Sequence, residues 1–394
     1  MKYDCVIVGA GLVGLSSAYH LLKIKPHFRV LVLEKESGVS KHQSGHNSGV
    51  IHSGIYYKSG SLKAKNCING YNEIIQFAKE YGIRYDLCGK IIVATNKEEL
   101  PLLDNIYSRG IQNGLTDLTY LSRDEFREIE PHCEGVRAIK VSQTGIIDYP
   151  AVAEKIKELF LELGGNIEFN QKVLNIKQNQ GTISVETSKQ TFETKKLISC
   201  AGLYSDKLTA MTSQKNDVKI IPFRGEYYKI KESKQHLVRN LIYPVPNPNF
   251  PFLGVHFTRM INGGIEAGPN AVLAFKREGY SFFDFNLGET MQTLTWPGFL
   301  KIAAKYGKTG LGEMYRSLSK SAFTKALQKL MPEIQESDLE AGGAGIRAQA
   351  CDRNGNLLDD FDIVNDGNII HVRNAPSPAA TSCLSIGKTI CELI

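Results

Sequence analysis

Three glycines, Gly9, Gly11 and Gly14, form a Gly-x-Gly-x-x-Gly array between the apolar run at residues 3–8 and a helix-forming stretch at 15–22. That order has a definite chemical use. The first glycine permits a tight turn, the second lets a diphosphate approach the backbone, and the third lets helix and strand pack closely. The first N–H groups of the helix and its positive dipole end then face the phosphates, with Leu12 and Val13 in the same turn. A second apolar run, Val30–Leu33, ends at Glu34, twenty positions after Gly14, where a carboxylate accepts hydrogen bonds from ribose hydroxyls and repels a 2′-phosphate. The pattern predicts a dinucleotide site for FAD or NAD and tells against NADP.

Two further segments favour FAD. Residues 44–54 are small and polar, beginning Ser44, Gly45, His46, Asn47, Ser48 and Gly49, where an NAD site would continue with a plain crossover helix. Near the C-terminus, Ala375 leads through Pro376, Ser377, Pro378, Ala379, Ala380 and Thr381 into a helical stretch at 382–393. A second helix start there can aim N–H donors at an electron-rich ring. With the strand-like run 196–200 ending at Ala201-Gly202, the chain resembles the D-amino-acid-oxidase-like superfamily, whose members enclose one extended FAD between their two ends. Cys200 stands where that superfamily usually has an alanine. The resemblance also implies Lys35 and Val173 at the cofactor.

A closer resemblance is to the L-2-hydroxyglutarate oxidases and dehydrogenases. It is carried by Asn-Ser-Gly-Val-Ile-His-Ser-Gly-Ile-Tyr-Tyr at 47–57 and by blocks at 61–65, 144–149, 221–227, 243–246 and 251–257. Gly-Pro-Asn-Ala-Val-Leu-Ala-Phe-Lys-Arg-Glu-Gly-Tyr at 268–280, Gly-Ile-Arg-Ala-Gln-Ala at 345–350 and Val-Arg-Asn-Ala-Pro-Ser-Pro-Ala-Ala-Thr at 372–381 complete it. These blocks span nearly the whole chain. The implied reaction moves a hydride from C2 of a 2-hydroxy dicarboxylate to flavin N5, yielding the 2-oxo acid. It requires a base for the hydroxyl proton and cations for two carboxylates.

The loop around His52 is also similar to the Ile-His-Gly-Gly loop of glycerol-3-phosphate dehydrogenases, which implies His52 as base and leaves His256 as second candidate. Arg347 resembles the Gly-x-Arg arginine with which amino-acid oxidases grip a carboxylate bidentately. Arg224 is expected at the distal carboxylate, with Lys276 or Arg277 as substitutes and Tyr56 and Tyr228 alongside. Tyr56 replaces an arginine of the glycerol-3-phosphate loop, which tells against a phosphorylated substrate. Some relatives attach FAD covalently to a histidine near the position of His46; a noncovalent role is the reading here.

The elements that must position these residues follow from periodicity. The expected fold is α/β, α+β overall: a Rossmann-like FAD-binding domain with a parallel sheet, assembled from 1–80, 148–215 and 340–394. A substrate or cap domain from 81–147 and 216–339 is expected to carry a mixed, largely antiparallel sheet. Residues 151–163 have the apolar spacing of an amphipathic helix stopped by Gly164-Gly165, and three short β runs follow around Glu168, Ser184 and Phe192. Three prolines in 243–249 predict a stiff loop.

Composition bounds the rest. The chain has 394 residues, 42% hydrophobic and 22% charged, which is ordinary globular composition. Its eight cysteines stand singly, without zinc-ligand spacing, and read as thiols in a reducing compartment. The strand pattern starting at Lys2 leaves no room for a leader, so a cytoplasmic protein is expected. Residues 296–330 hold seven basic side chains against Glu313 alone, interleaved with Trp296, Phe299, Leu300 and Ile302. Such a segment suits peripheral contact with the inner face of an anionic membrane, and electron transfer to quinone, with oxygen as the other acceptor. The competing readings are another FAD-dependent 2-hydroxy-acid or amino-acid oxidase and, remotely, a non-catalytic flavin-bound RNA-interaction protein. A net charge of +6 without an arginine-and-aromatic recognition block gives no expectation of nucleic acid.

Overall fold

The N-terminal apolar run forms the strand Lys2–Val8, buried from Cys5 onward, in a computed structural model that describes residues 2–179, 181–212, 217–247 and 253–394. A continuously apolar strand belongs inside a sheet covered on both faces. Accordingly it pairs in parallel with Val30–Leu33 on one side and Thr191–Ser199 on the other. Thr191–Ser199 divides its edge. Its first half pairs with the antiparallel meander Val173–Asn179 and Thr182–Thr187, and its second half runs parallel to Ile369–Asn374. Thus both ends of the chain meet in one sheet.

Helices Leu12–Ile24, Tyr149–Glu162 and Cys383–Cys391 contribute to a single apolar core with that sheet. The approach of the first and last helices depends on Gly387, where a Cβ would lie 2.7 Å from the Ser16 carbonyl carbon. Asp148 caps the middle helix by accepting from Ala151 N–H at 3.1 Å, and Gly164, with φ +86°, follows its end as the spacing predicts. The run around Glu168 joins the parallel sheet beside Val30–Leu33 rather than the meander.

The second sheet is mixed and largely antiparallel. From one edge it runs Val272–Leu273, Val218–Ile230, Ile265–Gly268, His256–Arg259, Leu241–Pro244, Lys90–Ala94, Arg137–Val141 and Leu118–Ser122, and Leu339–Asp352 pairs along Val218–Ile230. Two expectations are corrected here. The strand Leu339–Asp352, which sequence placed with the dinucleotide unit from residue 340, is hydrogen-bonded into the second sheet from Val218↔Asp352 to Ile230↔Leu339. Tyr243 and Pro244 are not loop either: they pair in parallel with Ile92 and Val93, and residues 248–249 lie outside the described residues. A proline lacks only the N–H, so it fits a ladder position where that donor is not required. Among the described residues no helix is long and apolar enough to cross a membrane.

Candidate active site

Gly9 and Gly14 of the N-terminal array sit where a side chain would collide, and at Gly11 a Cβ would lie 3.0 Å from Ser44 Oγ. At Gly9, with φ +105°, a Cβ would lie 2.5 Å from the Cys200 carbonyl oxygen, and at Gly14 it would lie 2.0 Å from the Gly9 carbonyl oxygen. The Leu12 N–H at the helix start donates to Ser44 Oγ at 3.0 Å, which ties the polar loop to this turn. Glu34 accepts from the N–H groups of Ala10 (2.8 Å) and Glu36 (2.9 Å), holding its carboxylate beside the turn. The three glycines, Leu12, Ser44 and Glu34 line a cavity of about 1050 Å³, with Val13, Lys35, His46, Asn47, Ser48, Val173, Ala201 and Gly202.

At this end Glu36, His42 and Glu278 place three potential metal ligands within 4.8 Å of one another. The Lys35 ammonium already pairs with both carboxylates and meets His42 Nε2 at 2.8 Å, so the cation of this cluster is the chain's own.

The same cavity is lined by Ser377, Pro378, Ala379 and Ala380 ahead of the C-terminal helix, and by His52, Tyr56, Tyr57, Tyr227, Tyr243, His256 and Arg347. Arg347 is brought in because Gly345 lets its strand pass the polar loop, where a Cβ would lie 2.5 Å from the His46 carbonyl oxygen. Thr381 and Gly49 stand behind the lining. The Thr381 hydroxyl accepts from the His52 N–H at 3.1 Å and meets Tyr149 Oη at 2.8 Å, which fixes the His52 loop against the C-terminal loop. Gly49, with φ +66°, turns the chain between Asn47 and the strand Val50–Ile51.

Both histidines are neutral. Burial, reinforced by the positive charges of Lys90, Arg347 and Lys63, pushes His52 down to about 3. Burial likewise takes His256 to about 4, against the opposing effect of its bond to Gly254. His256 Nδ1 lies 3.0 Å from the Gly254 carbonyl oxygen, so in the neutral ring Nδ1 carries the proton and Nε2 the lone pair. The ring centroid sits 4.0 Å from that of Tyr243. His52 Nε2 lies 3.5 Å from Ser377 Oγ.

Four expected substrate contacts are elsewhere. Arg224 is only 2% exposed and does not line the cavity; its Nε donates to Glu226 Oε1 at 2.8 Å and Nη1 to the Ser281 carbonyl at 3.1 Å. Tyr228 packs its ring 4.8 Å from Phe323, in a different core cluster. Side chains alternate along a strand, and the cavity receives Gly225 and Tyr227, so Arg224 and Tyr228 share the wrong face. Lys276 also lies off the lining, and its neighbour Arg277 is committed to Asp206 through two bonds of 2.6 and 2.7 Å.

Sequence reasoning missed Lys90. This residue opens the strand Lys90–Ala94, is buried, and holds its Nζ 4.5 Å from the Tyr56 ring centroid and 5.2 Å from that of Tyr243. Burial pushes its ammonium down to about 7. A single lysine before an apolar run carries no distinguishing signal, because the two tyrosines reach it only through the fold.

The glycine cradle, the placed carboxylate and the shared cavity suit a long dinucleotide reaching from Glu34 to His52. A family model described as FAD dependent oxidoreductase matches residues 4–393. The chain is a member of that family. FAD is its cofactor, and the residues that would hold it are those of the cradle, the polar loop and the C-terminal loop. The chain is 59% identical to the L-2-hydroxyglutarate dehydrogenase of Indibacter alkaliphilus, over 100% of this chain and 98% of that protein. It is 45% identical to the mitochondrial L-2-hydroxyglutarate dehydrogenase of Homo sapiens, over 99% of this chain and 88% of the relative. Among solved structures, the FAD-bound L-α-glycerophosphate oxidase from Mycoplasma pneumoniae superposes with a TM-score of 0.81 at 24% identity, covering 100% of this chain and 94% of that one. The glycine oxidase from Geobacillus kaustophilus gives 0.73 at 17% identity, covering 100% and 94%. These two show the shared fold.

Proposed function

We propose that this flavoprotein oxidises L-2-hydroxyglutarate to 2-oxoglutarate. Bound FAD supplies the hydride acceptor, flavin N5. The observation that carries the reading is the grouping of two neutral histidines with Arg347 at one end of the cavity, in a chain whose full-length relatives bear that activity in their names. Arg347 holds the C1 carboxylate, which orients C2, and His52 takes the hydroxyl proton with His256 beside it. Three basic groups, Lys90, Arg347 and Lys63, contribute to the depression of His52. A bound dianion offsets their charge, so the substrate raises the affinity of its own base for a proton.

The cationic surroundings also bear on the alternative of an amino-acid oxidase. An α-ammonium group beside Lys90 and Arg347 meets like charge, whereas a hydroxyl does not. Steady-state turnover with a dye acceptor tests the choice. Formation of 2-oxoglutarate from L-2-hydroxyglutarate is expected, and turnover of glutamate instead would refute it.

A membrane-borne quinone is the acceptor we favour over oxygen. On the helix Pro297–Leu318, Leu300, Leu311, Tyr315 and Leu318 are exposed and fall on one stripe at helical spacing, flanked by exposed Lys301, Lys305 and Lys308. Phe283, 88% exposed, and the exposed Phe285, Leu287 and Met291 precede it in sequence. Apolar and basic side chains together suit an anionic bilayer surface. Flotation with anionic vesicles at low salt is expected, lost in Leu311→Asp; flotation independent of lipid charge and of that substitution would refute the attachment.

A further inference from the structure

We propose that Lys90 and Tyr56 form the seat of the substrate's second carboxylate, so that Lys90 makes the site selective for a dicarboxylate. The inference rests on the 2-hydroxy-acid reading above and names a cation that the sequence did not. Its first ground is an uncompensated charge. Lys90 is 3% exposed, and among the described residues its Nζ has no hydrogen bond and no ion pair, only the faces of Tyr56 and Tyr243. Aromatic faces attract an ammonium but replace only part of the hydration it gives up. A buried cation in this position is stabilised by an anion that arrives with a ligand.

The second ground is independent. Among the described residues Tyr56 Oη is buried with no hydrogen-bond partner, and Tyr56 lines the cavity with the Lys90 ammonium over its ring, so a donor hydroxyl and an ammonium belong to one contact that holds no acceptor. A carboxylate supplies two acceptor oxygens. The lining cations near the histidines are accounted for, Lys63 pairing with Asp359 at 2.8 Å and Arg347 being the candidate for C1, and Lys90 stands directly behind the lining against the rings of Tyr56 and Tyr243. Lys90 is electrostatically close to both histidines, since its charge contributes to the depression of each. A five-carbon diacid can then place C2 at the histidines with one carboxylate toward Arg347 and the other toward Lys90.

The test uses the flavin-loaded enzyme and reads ligand binding separately from turnover. Glutarate and butyrate, which differ by one carboxylate and cannot react, are titrated against the flavin absorbance of wild type, Lys90→Met, Lys90→Arg and Tyr56→Phe. Lys90→Met is expected to weaken glutarate by about 100-fold and butyrate by less than about threefold, with Lys90→Arg retaining most of the preference. Tyr56→Phe is expected to weaken glutarate alone by about tenfold, and it decides the matter should Lys90→Met fail to retain flavin. In turnover, the KM for L-2-hydroxyglutarate rises in Lys90→Met while L-2-hydroxybutyrate is little affected. Equal loss for both ligands, or none, overturns the assignment. Wild type that binds glutarate through Lys90 yet leaves L-2-hydroxyglutarate unoxidised would refute the proposed reaction and leave the seat standing.

Discussion

Arg347 and Arg224 lie one register step apart on two paired strands, Phe223 being the direct partner of Arg347, yet replacing them should have opposite consequences. Arg347 lines the cavity, whereas Arg224 is enclosed with Glu226 and the Ser281 carbonyl. For Arg347→Met, the loss of two charge-assisted hydrogen bonds to a carboxylate corresponds to about 3–4 kcal/mol. At 1.36 kcal/mol per tenfold change, that is a fall of roughly 10²- to 10³-fold in kcat/KM. For Arg224→Met the ledger reverses: removing one partner of a buried ion pair costs about 3–5 kcal/mol of stability and leaves Glu226 without its cation. Turnover per folded, flavin-loaded molecule should stay within about threefold of wild type, because nothing in the cavity is removed. Steady-state kinetics normalised to flavin content, with thermal melts on the same samples, provide the readout. A fully active Arg347→Met, or an Arg224→Met that melts normally and has lost turnover, would refute the placement of the substrate on the Tyr227 face of the strand.

Gly14→Ala places a methyl group 2.0 Å from the Gly9 carbonyl oxygen, which forces helix and strand apart; the purified variant should show little flavin absorbance, and a full complement would contradict the cradle. Stability should also depend on pH. His52 and His256 titrate in the fold at about 3 and about 4, below an unfolded value near 6.5, so the unfolded chain binds more protons between those values. Their contribution is complete above about pH 6.5 and is lost as pH falls toward 4, by up to about 1.4 kcal/mol per unit for each. The melting temperature should therefore drop over that window and drop less in His256→Gln; an equal drop in both would count against a buried neutral His256.

Local steric demands were legible in the sequence, and contacts between distant segments were not. Gly9, Gly11, Gly14 and Glu34 belong to one strand–helix–strand unit, where spacing alone determines which atoms approach. The joining of the two chain ends was readable from the resemblance to FAD enzymes that enclose the cofactor between them, whereas the contact that seats helix Cys383–Cys391 on the first helix, at Gly387, was not. Strand face was the harder question. Arg224 and Tyr228 each stand one position from a cavity-facing residue, Gly225 and Tyr227, and a period of two turns that single step into the opposite side of the sheet. Composition could not reveal that Arg224 has Glu226 for a partner, or that Lys90 has no carboxylate partner among the described residues. Both facts depend on long-range packing: Lys90 meets Tyr56 and Tyr243, which come from far apart in the chain. The strand Leu339–Asp352 was assigned to the wrong sheet for the same reason, since its partner Val218–Ile230 lies more than a hundred residues earlier.

The central claim is that a 2-hydroxy diacid is held over the flavin with C2 presented by Arg347 and the two histidines. Anaerobic titration of the yellow enzyme with each enantiomer of 2-hydroxyglutarate tests it most directly. Bleaching of the flavin that is complete at about one equivalent of the L form, releasing one 2-oxoglutarate per flavin, is the predicted result. An enzyme that stays yellow with the L form, or that is bleached equally by the D form, would contradict it.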